Sequence, residues 1–472
     1  MDIYTEAKSE FKEIIRRYLI PLFDSPDAMS IVDGDFANKG YVLCETLADG
    51  EQQFRFFPSK NKRCAYCFEV ISCSSRQMAN ITSTILNELL KVAEYRTYGV
   101  TARKQRDYGK GAERSELVKW RTMDLAFELG ICRTLAPTYE TTLTLHSIIW
   151  KMIEWSERTY EGKRVPFGLI VNLDPHSASG SISYLQFLEN DSSAVFSDGV
   201  FSGISLDCKG HLLSFITRDS VVPEAREEKE LFVPYQFADL AKHCVGQTVG
   251  IIVQTNGEIL LVKNRALCYA KRGTKWVYFD WQRVYNSIRP FFASGCTVSD
   301  EEGRLVIKKI KAIYCTLLDV SFAHTGGCLA VVVNDSQEIN TVVKDRIDLG
   351  KDAAPPQTAE QKTKEKIEVL KYLLSDLNGH LKSFYDVEKP LRKEIMSLDG
   401  ATVVSLDGNF YCAGSIVSVP GGSKGGGRTA AAEKLAEFGV GIKISEDGYI
   451  EAYGTRIQAD GSKSVISLFK IS

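Results

Sequence analysis

The stretch SLDGATVVSLDGNFYCAGSIVSVPGGSKGGGRTAAAEKLAEFGVGIKISEDG, residues 397–448, decides the fold expected of this chain. Its β-branched and aromatic residues predict strands at 402–405, 411–419 and 441–444, separated by Asp-Gly and glycine turns. The alanine-rich segment from Arg428 to about Phe438 predicts a helix between the second and third strands. Strands and helices alternating in this way predict an α/β domain with a mixed sheet.

A glycine-rich loop leads directly into that helix. Gly425, Gly426 and Gly427 stand just before Arg428 and Thr429. Without a Cβ, the glycine N–H groups can turn toward a common point, and the helix start adds unpaired N–H groups and partial positive charge. Such a place suits a phosphate group. It is not a P-loop, because the Lys-Ser/Thr pair is absent. The alternative is a flexible loop with an ordinary helix cap.

The same domain extends toward the middle of the chain. A continuous apolar strand at 328–334 follows a predicted helix at 304–322, which is typical of a sheet covered on both faces. We therefore expect the last domain to span 299–472. The segment KDAAPPQTAEQKTKEK, residues 351–366, indicates a long surface loop before a helix at 367–385. A domain boundary there would cut the strand at 328–334 from its sheet.

Composition places the chain among cytoplasmic globular proteins. It has 472 residues, 44% hydrophobic content and a formal net charge of -2. Nothing in that balance favours nucleic acid or a membrane surface as partner. The first twenty residues lack the apolar segment of a signal peptide, and no apolar run is long enough to span a membrane.

The twelve cysteines are interpreted as mostly buried, reduced thiols, because many lie in apolar segments. The motif Cys64-x-x-Cys67 lacks the second pair or nearby histidines of a zinc site. The basic segment 101–114 could hold an anionic ligand, although a solvated loop is the commoner explanation.

The region before residue 299 has the character of a sensor. We divide it into a mixed α/β part, residues 1–160, and a strand-rich part, residues 161–298, which together make an α+β region. Helices are expected at 5–20, 77–95, 115–129 and 139–160, and strands at 167–173, 194–201, 211–217 and 249–253. Neither paired carboxylates nor a nucleophile–histidine set stands out, which favours a module that binds an unknown small ligand over a second catalytic site.

One faint echo links the two halves. Asp198-Gly199 followed by Ser205-Leu206-Asp207 resembles Asp399-Gly400 followed by Ser405-Leu406-Asp407, with spacings that differ by one residue. Two similar hairpins explain this echo as well as a duplication would.

The motifs of the last domain resemble those of the bacterial diadenylate cyclase domain, the catalytic module of DisA-type enzymes. Asp399-Gly400-Ala401 matches the Asp-Gly-Ala motif of that family, and Ser445-Glu446-Asp447 matches its Ser-Glu-Glu-like turn. The segment GSIVSVP at 414–420 resembles the strand whose backbone recognises adenine. The Arg-His-Arg motif departs: Arg428 falls on its final Arg, whereas Gly426 and Gly427 replace the first Arg and the His. The region before 299 more loosely resembles sensor regions of the type called DACNV.

This resemblance implies a function and a set of roles. Asp399 would hold a metal ion, Mg²⁺ or Mn²⁺, and position the attacking 3′-hydroxyl, while Glu446 and Asp447 would be further metal-associated acids. Arg428, Thr429 and the glycines 425–427 would cradle the triphosphate of ATP, with Gly400, Ala401 and Ser445 in nucleotide contact. Because two ATP molecules must face each other, the resemblance also implies a homo-oligomer.

Three hypotheses follow for the chain as a whole. The first is a sensor-regulated nucleotidyltransferase that makes cyclic di-AMP, a second messenger, or a related cyclic dinucleotide. The second is a degenerate domain that binds nucleotide without turnover, which the altered Arg-His-Arg motif favours. The third is an interaction scaffold without nucleotide.

Overall fold

The structure is a computed structural model that describes most of the chain in segments. The described residues are 11–24, 29–34, 43–46, 52–56, 65–70, 76–99, 112–176, 180–190, 193, 195–220, 231–292, 300–333, 339–343, 361–419, 426–457 and 463–472. They form two compact units. Unit 1 comprises Met1–Leu231 and Phe237–Asp280, and unit 2 comprises Phe232–Gln236 and Trp281–Ser472. The three-part division at 160 and 298 differs from this one at residues 232–236 and 281–298, and it stays a prediction.

Unit 1 begins with helices and a small antiparallel sheet. A π-helical turn, Ile15–Leu19, runs into a short helix. The helices are α1 (Ile20–Phe23), α2 (Arg76–Gly99), α3 (Ala112–Leu135), α4 (Tyr139–Trp155), α5 (Tyr184–Glu189) and α6 (Ala238–Ala241). The strands of the small sheet are β1 (Met29–Gly34), β2 (Leu43–Thr46), β3 (Gln52–Phe56) and β4 (Ala65–Val70). They are ordered β1-β4-β3-β2 within the described residues.

The larger sheet of unit 1 follows α4. After a short hairpin of β5 (Thr159–Tyr160) and β6 (Lys163–Arg164), its strands are β7 (Phe167–Asn172), β8 (Ser202–Leu206), β9 (Leu212–Thr217), β10 (Thr248–Val253), β11 (Ile259–Lys263), β12 (Ala266–Arg272) and β13 (Lys275–Tyr278). Among described residues their order is β13-β12-β11-β10-β7-β8-β9. Only the β7–β8 pair in this order is parallel. Leu145 and Met152 of α4 share a buried core with Leu169 of β7 and Ile251 of β10.

Unit 2 is built on a second mixed sheet. Its helices are α7 (Trp281–Phe292), α8 (Asp300–Ala323), α9 (Ile339–Val342), α10 (Gln361–Leu374), α11 (Lys389–Met396) and α12 (Gly427–Ala436). Its strands are β14 (Gly327–Val332), β15 (Ala401–Ser405), β16 (Phe410–Ser415), β17 (Gly439–Ile444), β18 (Ile450–Ile457) and β19 (Lys463–Ile471). Their order in the described residues is β16-β15-β14-β17-β18-β19. Only β14 and β15 pair in parallel.

Small residues let α12 lie directly on this sheet. A Cβ at Gly441 of β17 would stand 1.9 Å from the Ala432 carbonyl oxygen of the helix. Ala432 and Ala436 are fully buried. Only glycine and alanine permit so close a helix–strand approach, which explains the alanine-rich sequence and fixes the position at which α12 begins.

The two large sheets share one topology. In each, a parallel pair (β7–β8 and β14–β15) is flanked on one side by an antiparallel hairpin partner, β9 or β16. On the other side lies an antiparallel meander that starts with β10 or β17. A helix precedes each first strand, α4 in unit 1 and α8 in unit 2. The α/β architecture with mixed sheets expected from the sequence is therefore confirmed.

Three local predictions were wrong. The described residues of 194–201 are not a strand, because the Asp198 carboxylate accepts hydrogen bonds from the N–H groups of the next residues and forms a turn. The helix expected at 139–160 ends at Trp155, before the turn of the β5–β6 hairpin.

The third wrong prediction concerns 351–385. Residues 361–366 are helical rather than loop, and the helix ends at Leu374 rather than 385. It ends before a turn in which the Asp376 carboxylate accepts from Asn378 and His380 N–H, with Gly379 at φ 80°. The segment 351–360 lies outside the described residues, as do residues 101–111 of the basic segment and the side chains of Cys64 and Cys67.

The described cysteines are free thiols, as expected. Cys315, Cys328 and Cys412 are buried free thiols, and Cys268 is half-buried. Among the described helices none is both long and apolar enough to cross a membrane.

Candidate functional site

One edge of the unit 2 sheet gathers most of the residues singled out from the sequence. We call it the open edge: residues 324–326 before β14, 397–400 before β15, the turn 445–449 after β17, and the first residues of α12. The register explains the grouping. Gly327 pairs with Ile444, and Ala401 pairs with Ser415, so β14 and β15 begin where β16 and β17 end.

The Asp399-Gly400 turn holds an exposed carboxylate at this edge. Gly400 has φ 107°, and a Cβ there would lie 2.6 Å from the Ser415 carbonyl oxygen, so only glycine fits without a backbone shift. Ala401 is fully buried and begins β15. Asp399 is exposed to solvent. Its position is thus fixed by backbone on one side while its carboxylate stays available to a ligand.

The start of α12 is open. Gly426 is the N-cap residue at φ 89°, and no side chain caps the helix there. A Cβ on Gly426 or Gly427 would meet no other atom within 4 Å, so the lack of side chains is not imposed by packing. Gly425 lies outside the described residues, and Thr429 is half-buried. The helix start therefore presents backbone N–H groups and partial positive charge to the open edge.

Arg428 and Glu446 meet directly. Arg428 Nη1 donates to Glu446 Oε1 at 2.9 Å, with the side chains 33% and 70% exposed. The guanidinium also packs on Gly326, where a Cβ would lie 2.6 Å from Nη1. Gly326 has φ 69°, so conformation and space both require glycine there. The two residues that the sequence placed eighteen positions apart are thus in contact.

The turn after β17 is held on both sides. The Gly448 N–H donates to the Ser445 carbonyl oxygen at 2.9 Å, and the Tyr449 N–H donates to Ser445 Oγ at 3.0 Å. Ser445 thus shapes the turn through its own side chain. From α8, Ser321 Oγ donates to the Gly448 carbonyl oxygen at 2.6 Å. Glu446 and Asp447 project from this turn and are exposed.

Sequence reasoning missed the loop that links these pieces. His324 Nδ1 donates to the Glu446 carbonyl oxygen at 2.9 Å, and Thr325 Oγ1 contacts Ser397 Oγ at 2.7 Å. One loop therefore ties the turn that carries Glu446 to the turn that carries Asp399. The available signal was His324-Thr325-Gly326-Gly327, a polar Gly-Gly loop before a buried strand; His324 itself has φ 54°.

The thiols under the open edge are not nucleophiles. Cys328 is 1% exposed, and burial raises its pKa to about 12, although the Arg428 charge acts in the opposite direction. A neutral, buried thiol neither attacks a substrate nor binds a metal ion. The open edge therefore offers carboxylates, Arg428 and backbone N–H groups to a ligand, and Cys328 is not among its reactive groups.

The carboxylates suit one kind of metal ion. No group of three or more His, Cys, Asp or Glu side chains is arranged to hold an ion within the described residues. Asp399 on one turn and Glu446 and Asp447 on another offer exposed oxygen donors. Mg²⁺ is commonly held by one or two carboxylates together with substrate phosphates rather than by a complete protein cage. The donor set fits such an ion, with Asp399, Glu446 and Asp447 as the residues that would hold it.

Comparisons with known proteins add no family to this geometry. No family model matches the chain, and no curated protein matches it.

Proposed function

We propose that unit 2 is a nucleotidyltransferase domain of the diadenylate cyclase type, acting in the cytoplasm. It condenses two ATP molecules into cyclic di-AMP or a related cyclic dinucleotide with release of two pyrophosphates, under control of the region before it. The observation that carries the proposal is the meeting of three separate motifs at one sheet edge: the turn of Asp399, the glycine start of α12 and the turn of Glu446. Arg428 joins the last two through its contact with Glu446.

The residues of the open edge have different roles in this reaction. The Asp399 carboxylate accepts a hydrogen bond from the 3′-hydroxyl and orients that hydroxyl toward an α-phosphate. Arg428, Thr429 and the N–H groups at the start of α12 bind the triphosphate, since catalysis of phosphoryl transfer is largely positioning and charge stabilisation. Asp399, Glu446 and Asp447 would hold Mg²⁺ or Mn²⁺, which would supply positive charge for the transition state. Two such edges, from two copies of the chain, hold the two ATP molecules.

A second candidate function has its own support. Gly426 and Gly427 replace two basic donors of the related motif, and the charge of Arg428 is offset by Glu446. Charge-assisted hydrogen bonds contribute roughly 1.5–3 kcal/mol each, so losing two corresponds to about 10²–10⁴ in rate if they act in the transition state. A domain that binds nucleotide without turnover is the alternative.

Product analysis separates these functions. The full chain and its Asp399→Ala variant are incubated with ATP and Mg²⁺ or Mn²⁺, and the products are identified by mass spectrometry. A cyclic dinucleotide made only by the parent chain supports the enzyme. Intact ATP in both samples, together with a rise in Tm on adding ATP, supports the nucleotide-binding protein. Intact ATP without a Tm shift would overturn both and favour a scaffold.

A further inference from the structure

The open edge has a second cation that the sequence motifs do not include. Lys366 lies on α10, in the segment interpreted from sequence as a loop. Its Nζ donates to the carbonyl oxygen of Gly414 in β16, and the side chain is part-buried. Across the described residues it forms no ion pair with a carboxylate. The charge of Lys366 is therefore not neutralised by a described carboxylate and stays available to an anionic ligand.

Lys366 stands beside the Asp399 turn. A Cβ built on Gly414 would lie 3.0 Å from Lys366 Nζ and 3.1 Å from the Asp399 carbonyl oxygen. The ammonium and the Asp399 backbone are therefore neighbours across Gly414. Gly414 has φ 59°, which favours glycine, and the lack of a Cβ leaves room for the ammonium and the Asp399 carbonyl group. The connection from β14 to β15 includes α10, and it thus places the positive charge of Lys366 at the edge where β15 begins.

The charges of the open edge show why this matters. Three exposed carboxylates, Asp399, Glu446 and Asp447, face one guanidinium, and Arg428 is already paired with Glu446. Such an edge repels a polyphosphate. An ammonium has three donors, and the Gly414 carbonyl uses one of them. The remaining two N–H donors suit phosphate oxygens, for which lysine is a common ligand.

We propose that Lys366 is a ligand-contacting residue of the open edge that binds a phosphate group of the nucleotide. This inference rests on the proposed function and adds a residue to it. Lys366 supplies part of the positive charge that Gly426 and Gly427 no longer carry as side chains. The competing explanation is structural: Lys366 ties α10 to β16 through the Gly414 carbonyl and touches no ligand.

The experiment compares three full-length variants with the parent chain. Lys366→Met removes the charge and keeps the chain length, Lys366→Arg keeps the charge, and Lys364→Met removes a half-buried lysine two residues earlier on the same helix. Affinities for ATP, adenosine and inorganic tripolyphosphate are measured by calorimetry in the presence of Mg²⁺, and the Tm of each variant is recorded.

We expect Lys366→Met to weaken ATP and tripolyphosphate binding by about 10- to 100-fold and to leave adenosine binding unchanged. Lys366→Arg should restore most of that loss, and Lys364→Met should behave like the parent. A purely structural lysine would instead lower Tm and weaken adenosine and ATP alike.

Two results overturn the proposal in distinguishable ways. If the parent chain binds ATP and Lys366→Met binds it equally well, Lys366 has no ligand role while the proposed function stands. If the parent chain binds neither ATP nor tripolyphosphate, the proposed function and the role of Lys366 fail together.

Discussion

Unit 1 and unit 2 contain the same sheet topology with different edges. The strands β7–β12 and β14–β19 occur in the same order and with the same directions of pairing. Even the turns correspond. In unit 1, Gly257 N–H donates to the Gln254 carbonyl oxygen at 2.9 Å, as Gly448 N–H does to Ser445 in unit 2. The comparison isolates what the loops add to a common scaffold.

In unit 1 this edge is closed by its own turns. Asp198 Oδ1 accepts from the N–H groups of Val200, Phe201 and Ser202 at 2.8–3.0 Å, so the carboxylate is used locally. Partial burial opposes ionisation of Asp198, but these hydrogen bonds hold its pKa below the ordinary value. A Cβ on Gly168 would lie 2.6 Å from Gly199 Cα, which shows how tightly the turn packs on β7.

Among the described residues, this edge of unit 1 also lacks counterparts of Glu446, Asp447 and the long helix α12. At the positions of Glu446 and Asp447 it has Thr255 and Asn256, and the helix before β10, Ala238–Ala241, has four residues in place of the ten of α12. The two edges therefore differ in the residues of their loops and not in sheet topology, and folds commonly differ in function through such loops.

The two members of the sequence echo do not occupy equivalent positions in the structure. Asp207 accepts from the N–H groups of Lys209 and His211, two and four residues later. In unit 2 that part is taken by Ser405, which accepts from Asp407 and Asn409 N–H. Asp207 thus corresponds to Ser405 and not to Asp407. The two sheets share one topology, but the residues of the sequence echo do not align within it.

The largest expected effect separates Asp399 from Asp198. Asp399→Asn should abolish cyclic dinucleotide formation, a loss of at least about 10³-fold, because the exposed carboxylate no longer binds metal or orients the hydroxyl. Asp198→Asn should leave product formation within about twofold, since its carboxylate serves only its own turn. Initial rates with saturating ATP measure both.

The aspartates of the two turns also provide the control. Asp198→Asn should lower the free energy of unfolding, because a neutral amide oxygen accepts the three N–H hydrogen bonds more weakly than the charged carboxylate does, whereas Asp399→Asn should not. Equal losses of rate in the two variants would mean that the Asp399 effect is structural.

The glycines of the two turns give the next largest effect, on stability. Gly400→Ala and Gly199→Ala both place a Cβ against a backbone carbonyl oxygen, at 2.6 and 2.9 Å, with φ at 107° and 70°. Each should cost about 1–3 kcal/mol of unfolding free energy, Gly400 more than Gly199. Urea unfolding measures the difference.

Gly427→Ala is the control for both. A Cβ at Gly427 meets no atom within 4 Å, and the residue is the first of α12. Alanine should be neutral or stabilise by up to about 1 kcal/mol. Destabilisation by Gly427→Ala equal to that of Gly400→Ala would contradict the distinction drawn between tight and open glycines.

The sequence allowed a good prediction of elements whose pattern is local. The strand at 249–253 and the start of α12 were confirmed because apolar periodicity and glycine position determine them. The helix end at Leu374 and the turn at Asp198 were missed, because in both a single carboxylate captures backbone N–H groups. The contact of Arg428 with Gly326 depends on strand pairing across a hundred residues, which no local pattern encodes.

A buried acid gives unit 2 a pH response. Asp319 of α8 is 3% exposed and accepts from the Tyr235 N–H at 2.6 Å. Burial raises its pKa from 3.8 to about 6, against the Tyr235 hydrogen bond and the charges of Lys389, Arg392 and Lys393. The buried glutamate Glu258 of unit 1 is instead paired with Arg272 at 3.0 Å.

Because the folded state binds the Asp319 proton more tightly than the unfolded state, this residue makes the fold less stable as pH rises from about 4 to 6. The contribution is at most on the order of 3 kcal/mol, from 1.36 kcal/mol per unit of pKa. Asp319→Asn should remove that slope, seen as the difference between parent and variant unfolding curves at a series of pH values. Parallel curves would show that Asp319 does not titrate in this range.

The smallest expected effect on stability is at the Arg428–Glu446 pair. The pair is solvent-exposed, so removing it should change the unfolding free energy by less than about 1 kcal/mol. Its effect on binding should be larger and should depend on metal. Without metal, Glu446→Gln frees Arg428 for phosphate and should tighten ATP binding a few-fold, whereas Arg428→Met should weaken it.

With Mg²⁺ present, Glu446→Gln should instead weaken ATP binding, because the variant lacks a carboxylate that would bind the ion together with the phosphates. Arg164 of unit 1 is the matched control: its Nη1 donates to the Asn256 carbonyl oxygen at 2.7 Å, in the turn equivalent to 445–449. Arg164→Met should alter ATP binding neither with nor without metal. A loss of ATP affinity in Arg164→Met comparable to that in Arg428→Met would place nucleotide at the closed edge as well, and the two units would then differ in chemistry but not in ligand.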